Sequence, residues 1–271
     1  MKLGYANLTT NEQQIVTDPF YKQLVTYLLE QETPPTLRQL KEAFPASKLE
    51  KKLERCIRAQ LIIRENRRYF TTITYDAVQS NQTTVDDWVA KLMAKPIEPA
   101  QLYALAKDFQ QQKWIGFLPE TLDFCYPATL ETSQLGIDAY STQQMANTLP
   151  HYFQAIGQQE ARFYPELTQT IGDVDPEYFL DQVQVILEKV ARQRKIRPSI
   201  FLTALHETNL LTPEVPYEVK AYQTDHTYVQ LESTYHALPP IVKGQIIASI
   251  LKKTQMDPFI VIDIKPEQQK R

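Results

Sequence analysis

Hydrophobic residues near the N-terminus recur at the spacing of amphipathic helices, and residues that start or end helices bound each run. Asp18 followed by Pro19 is typical of an N-cap with proline at the first helical position, and predicts a helix over residues 18–31. Thr36 and Gln39 have the spacing of a capping box, which predicts a second helix of about nine residues. The pattern therefore predicts two short helices separated by a proline-containing break.

A third helix is predicted almost directly after the second, because Ser47 and Glu50 form another capping-box pattern. At about 100° per residue, its apolar residues share one arc and its cations lie on the opposite side. The apolar arc comprises Leu49, Leu53, Cys56 and Ile57, and the cationic side comprises Lys48, Lys51, Arg55 and Arg58. Two β-prone runs, at 61–64 and 67–73, then flank Glu65-Asn66 and predict a hairpin whose register stays open.

The remaining two hundred residues read as a mainly helical region with β-structure near its end. Helices are predicted after a Thr84 cap, through 102–114, from Ser141 to about Gly157, through 163–171, from an Asp175 cap onwards, and after Pro239-Pro240. Residues 116–137 show no clear period and predict an irregular connector. Alternation over 217–232 predicts a hairpin that turns at residues 224–226, and residues 258–264 predict a closing strand.

These elements predict an α+β protein that is predominantly helical and has two domains. The first domain covers residues 1–78, and a mainly helical α+β domain with a small sheet covers residues 83–271. The polar stretch 74–81 between them reads as a connection. We expect the second domain to sense a ligand, to dimerise or to recruit a partner.

Composition narrows the class of protein. With 43% apolar and 23% charged residues among 271, the chain can form two modest cores and is not disordered throughout. The longest apolar stretches, such as residues 259–262, are far shorter than the roughly 20 residues that cross a bilayer. The first twenty residues lack the apolar block of a secretory signal. A cytoplasmic protein without membrane association is therefore expected.

Few residues suggest a nucleotide, metal or redox site. The six glycines are nowhere closer than fifteen residues apart, so neither a P-loop nor a dinucleotide-binding turn can be written. Cys56 and Cys125 are too far apart for a C-x-x-C pair, and Cys125 is expected to be a buried structural thiol. His206-Glu207 begins like H-E-x-x-H, but residue 210 is leucine. No cofactor, metal ion or catalytic residue is assigned.

The acidic stretch at residues 173–177 allows two interpretations. Closely spaced carboxylates can hold a divalent cation, but this stretch lacks the ligand number and the central glycine of a calcium loop. Asp175 before Pro176 instead predicts a helix start.

Charge is distributed unevenly along the chain. Residues 1–75 contain 12 basic and 8 acidic side chains, whereas residues 76–271 contain 17 basic and 24 acidic ones. Residues 33–72 alone contain ten basic and four acidic residues, a net charge of +6. A basic segment on an acidic protein is either a surface for nucleic acid or a solvated face.

The segment TLRQLKEAFPASKLEKKLERCIRAQLIIRENRRYF resembles the winged helix-turn-helix superfamily, and the resemblance covers residues 18–73. It implies that the third helix enters the major groove of duplex DNA and that the hairpin forms a basic wing. The DNA-binding residues implied are Lys48, Lys51, Lys52, Arg55, Arg58, Arg64, Arg67 and Arg68. The rest of the chain resembles uncharacterised bacterial proteins, a resemblance that implies no activity.

Three functions stay open from the sequence. The first is a bacterial transcription regulator that docks the third helix and wing on DNA, with a small-molecule effector or protein partner at the second domain and a homodimer as one arrangement. The second is a non-catalytic interaction or scaffold protein whose winged helix does not bind DNA. The third is an enzyme with dispersed active-site residues, for which a pocket combining His226, His236 or Glu207 would be the sign.

Overall fold

The computed structural model describes residues 2–45, 48–72, 81–118, 121–224 and 229–265. The chain divides into two compact units, of which the first comprises Met1–Thr83 and Gln110–Leu122 and the second comprises Thr84–Phe109 and Asp123–Arg271. The first unit therefore includes a segment from beyond the expected connection at residues 74–81. Helices and small sheets are interspersed along the chain, which confirms the α+β class.

The first unit contains four helices and two hydrogen-bonded strand pairs among its described residues. The elements in chain order are β1 (Lys2–Ala6), α1 (Thr10–Val16), α2 (Pro19–Glu30), α3 (Leu37–Ala43), α4 (Leu49–Arg58), β2 (Ile62–Glu65), β3 (Arg68–Thr71) and β4 (Trp114–Leu118). Strand β1 pairs antiparallel with β4, and β2 pairs antiparallel with β3. Helix α1 and the β1–β4 pair are additions to the predicted three helices and hairpin.

The caps predicted from sequence start two of these helices. The Asp18 carboxylate accepts a hydrogen bond from the Phe20 amide at 2.9 Å, with Pro19 at the first position of α2. Thr36 and Gln39 form the expected reciprocal capping box at the start of α3. Both predictions are confirmed, because local side-chain hydrogen bonds satisfy amides that have no helical partner.

Helix α4 begins differently from the expectation. Ser47, the predicted cap, lies outside the described residues, and the residue directly before the helix is Lys48 in a left-handed conformation with φ 76°. Lys48 makes no side-chain capping hydrogen bond. The Glu50 carboxylate, which a capping box would direct to the helix start, instead lies 2.6 Å from Lys41 Nζ.

The β2–β3 hairpin is confirmed, with its turn one residue later than predicted. Glu65 pairs with Arg68, so Asn66 and Arg67 are the two central residues of the turn. Their φ angles are 50° and 62°, and two consecutive positive values characterise the type I′ turn that matches strand twist. An isolated antiparallel bridge joins Thr36 to Arg68 and adds a third chain segment beside the hairpin.

One apolar core holds the first unit together. Tyr21, Leu24 and Val25 of α2 and Leu40 of α3 have no exposed surface. Leu49, Leu53 and Cys56 of α4 are buried in the same cluster, as are Ile62 and Tyr69 of the hairpin. The predicted apolar arc of α4 therefore faces the core, with Ile57 half-buried at its edge.

The second unit consists of helices around a four-stranded sheet. Its elements in chain order are α5 (Gln82–Leu92), α6 (Pro99–Gln111), β5 (Tyr126–Glu131), β6 (Leu135–Ser141), α7 (Leu149–Gly157), α8 (Pro165–Ile171), α9 (Pro176–Ala191), α10 (Ile200–Glu207), β7 (Tyr222–Gln223), α11 (Ser233–His236), α12 (Pro240–Thr254) and β8 (Phe259–Ile264), with a 3₁₀ turn at Ala161–Phe163. The ends of α5 and α6 extend across the unit boundaries.

The sheet has the strand order β5-β6-β8-β7. Strand β6 pairs antiparallel with β5 and β8, and β7 runs parallel to β8. The predicted irregular connector over 116–137 is therefore wrong, because this stretch contributes to β4, β5 and β6. All residues of β6 are buried, so this central strand lacks the alternation by which a half-exposed strand is recognised.

Four other predictions are corrected. No helix starts at Ser141, because Ser141 ends β6 and its hydroxyl donates to Asp257 at 2.7 Å; the helix begins at Leu149. Helix α5 begins two residues before the expected Thr84 cap, and Trp114 lies in β4 rather than in the preceding helix. The expected hairpin over 217–232 reduces to the two residues of β7, since residues 229–232 form no strand and residues 225–228 lie outside the described chain.

The caps of α9 and α12 and the last strand agree with their predictions. The Asp175 carboxylate accepts hydrogen bonds from the Glu177 and Tyr178 amides at 3.0 Å, which confirms that it caps α9. Helix α12 begins at Pro240, and β8 spans residues 259–264. Within the described part of the chain, no helix combines the length and apolar character needed to span a bilayer.

Gly244 allows a close approach inside the second unit. A Cβ built at this buried position of α12 would lie 2.3 Å from the Phe124 ring. We expect Gly244→Ala to lower the free energy of unfolding by about 1–3 kcal/mol, because overpacking outweighs alanine's better helix propensity. Urea denaturation measures the change. Gly157→Ala is the matched control, since nothing lies within 4 Å of its added Cβ and no such loss is expected; equal effects at the two sites would contradict this explanation.

The burial of His151 predicts that the folded protein loses stability at acidic pH. Its ring lies 2.8 Å from the Thr148 hydroxyl and 3.2 Å from the Tyr126 carbonyl, and burial lowers its pKa from 6.5 to about 4. Between these values the unfolded chain binds a proton that the folded chain does not, so stability falls as pH falls across this window, by roughly 3 kcal/mol. Urea denaturation from pH 7 to pH 4 should show a shallower decline for His151→Gln, and parallel declines would count against His151.

Candidate nucleic-acid interface

The orientation of α4 follows from its buried side. Leu49, Leu53 and Cys56 are buried in the core, and Lys51 and Arg58 lie on the opposite side of the helix. Burial raises the pKa of the Cys56 thiol to about 11, so the thiol stays protonated and acts as an apolar residue. The core therefore directs the middle of the cationic side of α4 outward.

The eight predicted DNA-contacting cations divide into two groups in the structure. Lys48, Lys51 and Arg67 are exposed and form no ion pair with any described residue. Arg64 is also exposed, but its guanidinium lies 5.6 Å from the centre of the Tyr69 ring. These four side chains leave their charges open to solvent on α4 and the β2–β3 hairpin, and we call them the open cations.

The other three cations of α4 contact the protein itself. Lys52 Nζ lies 3.3 Å from Asp18 Oδ2 and 4.6 Å from the centre of the Phe20 ring. Arg55 Nη2 donates to the side-chain oxygens of Asn11 at 3.2 Å and Gln14 at 3.1 Å. Lys52 and Arg55 thus connect α4 to α2 and α1.

Arg58 and Arg68 complete this second group. Arg58 Nη2 lies 3.8 Å from Glu54 Oε2, and 83% of its side chain is exposed. Arg68 Nη1 donates to the Pro34 carbonyl at 2.6 Å, which connects the hairpin to the segment before α3. We call Lys52, Arg55, Arg58 and Arg68 the engaged cations. The Arg58 pair and the hydrogen bonds of Arg55 and Arg68 lie at the surface, where such contacts contribute little stability.

Helix α1 was not predicted from the sequence, and it contributes residues that contact α4. Thr9 and Glu12 form a capping box at the start of α1, and Glu12 also pairs with Lys113 just before β4. The Lys113 hydrogen bond holds the pKa of Glu12 below its usual value. The Thr9-to-Glu12 spacing was the available signal for α1, whereas the contact of Asn11 and Gln14 with Arg55 spans more than forty residues and leaves no local pattern.

The acidic side chains near α4 are themselves paired. Lys41 holds the pKa of Glu50 below its usual value, with Arg64 adding a smaller effect in the same direction. Glu54 is paired with Arg58. Glu50 therefore stays ionised beside the open cations, and both carboxylates lie close enough to offset part of their charge.

The second unit contains a polar cavity of about 330 Å³. The Asp257 carboxylate in its wall accepts hydrogen bonds from Ser141 Oγ, the Thr142 amide and Thr142 Oγ1. Lys220 supplies a cation at the same cavity, and Asn147 supplies an amide whose nitrogen donates to the Glu207 carbonyl. The cavity thus combines a fixed carboxylate with an ammonium group, as sites for small polar molecules do.

The residues considered for catalysis have separate environments. His236 Nδ1 lies 2.6 Å from Asp108, Glu207 accepts from Thr170 at 2.8 Å, and His206 contacts the Tyr217 ring. His226 lies outside the described residues. Cys125 is buried, as expected, and burial raises its pKa. Within the described ranges, no three His, Cys, Asp or Glu side chains are placed to hold a metal ion.

The comparisons with known proteins give one match. Residues 3–112 are similar to a family model described as a domain of unknown function, DUF1803. The match covers less than half of the chain and identifies no winged helix-turn-helix family, although it includes α4 and the β2–β3 hairpin. No curated protein and no solved structure matches the chain.

The contacts of Lys52 predict that it contributes more to the free energy of unfolding than the neighbouring Lys51 does. We expect Lys52→Met to lower the free energy of unfolding by about 1 kcal/mol, because it removes the Asp18 pair and the contact with Phe20. Lys51→Met, the matched control, should change it by less than about 0.5 kcal/mol. Asp18→Asn keeps a capping oxygen and removes the charge, so it isolates the ion pair. Equal losses for the two lysine variants in urea denaturation would contradict the assignment.

Proposed function

We propose that the first unit is a winged helix-turn-helix domain that binds duplex DNA through α4 and the β2–β3 hairpin. Three features of the fold support this proposal. Helices α2, α3 and α4 are followed by a two-stranded hairpin, the Thr36–Arg68 bridge adds a strand-like segment before α3, and α4 buries one side while exposing a cationic one. The last of these carries the functional proposal.

The open cations suit the DNA backbone. Lys48 precedes the first turn of α4, Lys51 is in that turn, and Arg67 is at the tip of the hairpin. Phosphate binding by such side chains releases condensed counterions, so affinity is expected to fall steeply with salt. The engaged cations Lys52, Arg55 and Arg68 keep α4 and the hairpin in position for this contact.

The second unit has a regulatory role in this proposal. Its polar cavity, with Asp257 and Lys220 in the wall, supports binding of a small polar effector that carries both charges. The two units together would then form a DNA-binding regulator of the cytoplasm, where its nucleic-acid partner is found.

A protein-interaction function is the second candidate. It is favoured by the four engaged cations, since their hydrogen bonds and ion pairs within the chain leave fewer ammonium and guanidinium groups free to bind phosphate. An acidic protein would then be the partner of α4. Equal affinity for duplex DNA at low and high salt, or no measurable affinity at low salt, would favour this candidate over the first.

The DNA proposal is tested by removing two open cations. Lys51→Gln combined with Arg67→Gln should weaken binding to a labelled 24-base-pair duplex at least about tenfold at low salt, and should reduce the slope of log affinity against log salt by about 2. Fluorescence anisotropy over a range of salt concentrations measures both quantities.

The matched control has the same change in net charge. Lys22 and Arg38 are exposed cations of α2 and α3, and Lys22→Gln combined with Arg38→Gln should leave affinity within about twofold. Unmeasurable binding by the unmodified protein would refute the proposal, as would equal losses in the two double variants.

A further inference from the structure

Reading a base sequence requires side chains that hydrogen-bond with base edges in a fixed geometry. Asparagine and glutamine bind adenine, arginine and lysine bind guanine, carboxylates accept from cytosine, and serine or threonine contact either. Helix α4 contains no asparagine, glutamine, serine or threonine between Leu49 and Arg58, and its first-turn carboxylate Glu50 is paired with Lys41. The planar donor groups on this helix are the guanidinium groups of Arg55 and Arg58.

Hydrogen bonds direct Arg55 elsewhere, and position separates Arg58 from the bases. Arg55 Nη2 is shared by Asn11 and Gln14 of α1, so its planar donor group is turned towards the protein. Arg58 is the last residue of α4, with Nη2 3.8 Å from Glu54 Oε2, whereas a recognition helix contacts base edges through its N-terminal residues. Neither arginine is therefore placed to read a base pair.

The cations that remain open are suited to phosphate. Lys48 and Lys51 are flexible point charges without the planar geometry that distinguishes bases. On the hairpin, Arg64 packs against Tyr69 and Arg68 is bonded to the Pro34 carbonyl, which leaves Asn66 and the Arg67 guanidinium at the turn. A hairpin tip contacts the DNA backbone or the minor groove. In the minor groove an amide or a guanidinium distinguishes at most A·T from G·C pairs, so these contacts depend weakly on sequence.

We infer that α4 and the hairpin bind the phosphate backbone of duplex DNA without selecting a base sequence. The inference rests on the proposed DNA-binding function and specifies its ligand as any duplex of sufficient length. The open cations Lys48, Lys51, Arg64 and Arg67 supply the contacts, so the slope of log affinity against log salt is expected to be between about −3 and −4. The Glu54–Arg58 pair lowers the affinity of this surface for every sequence equally.

The full-length protein is tested first against three duplexes of 24 base pairs, containing only A·T pairs, only G·C pairs or a mixed sequence. Dissociation constants within about threefold of one another, with the salt slope given above, support the inference. Selection from a random duplex library should enrich no motif. An enriched motif, or a preference above tenfold for one composition together with salt-sensitive binding, would overturn the inference and leave the proposed function intact. Absence of binding to all three duplexes at low salt would refute both.

A substitution at Glu54 gives a second, independent readout. Glu54→Gln removes a negative charge beside the open cations and releases Arg58, so affinity should increase about three- to tenfold for all three duplexes alike. Glu42→Gln is the matched control, because Glu42 forms the same i,i+4 pair with Arg38 on α3 and should have a smaller effect. A gain confined to the G·C duplex would mean that Arg58 reads guanine, which would contradict the inference.

Discussion

Burial of the apolar side of α4 is the constraint on which the proposed interface depends. Leu49, Leu53 and Cys56 pack into the core that α2, α3 and the hairpin also line, so the helix cannot rotate without exposing them. The rotation of a helix about its axis decides which side chains face solvent. Lys51 is therefore held outward by hydrophobic packing on the other side of the helix.

Polar contacts then determine which cations stay available. Asp18 has two roles, since one carboxylate oxygen caps α2 and the other pairs with Lys52 of α4. Arg55 and Arg68 likewise bind amide or carbonyl oxygens of other segments. The engaged cations have partners within the unit, of which the Lys52–Asp18 pair is partly buried, and the open cations define the part of the surface on which a polyanion would find unpaired positive charge.

In the second unit, the charged side chains that form pairs include buried ones. Lys243 has no exposed surface, and its ammonium donates to Asp108 at 2.7 Å and to the His236 carbonyl at 3.0 Å. Asp138 on the central strand accepts from Lys107 and from Thr129. Removing one partner of such a pair leaves an uncompensated buried charge, so these contacts constrain how α6 and α12 pack. The polar cavity near Asp257 lies in a unit whose framework is fixed in this way.

Local signals determined a large part of the fold. The Asp18-Pro19, Thr36-Gln39 and Asp175-Pro176 starts were predictable because a capping hydrogen bond joins residues only two or three positions apart. The amphipathic pattern of α4 was readable for a similar reason, since helical periodicity is a property of adjacent turns. The hairpin could be located but its turn was displaced by one residue, because Glu-Asn is a weak turn signal and the register was fixed by pairing.

Tertiary structure decided the rest. Strand β6 could not be recognised from its own residues, because burial on both faces removes the alternation of apolar and polar positions. Strand β4 pairs with β1, which lies more than a hundred residues earlier in the chain. From the sequence, the winged-helix resemblance gave Lys48, Lys51, Lys52 and Arg55 the same DNA-contacting role on one helix. Only the folded chain separates them, because the partners of Lys52 and Arg55 lie in helices more than thirty residues earlier and long-range contacts leave no trace in local spacing.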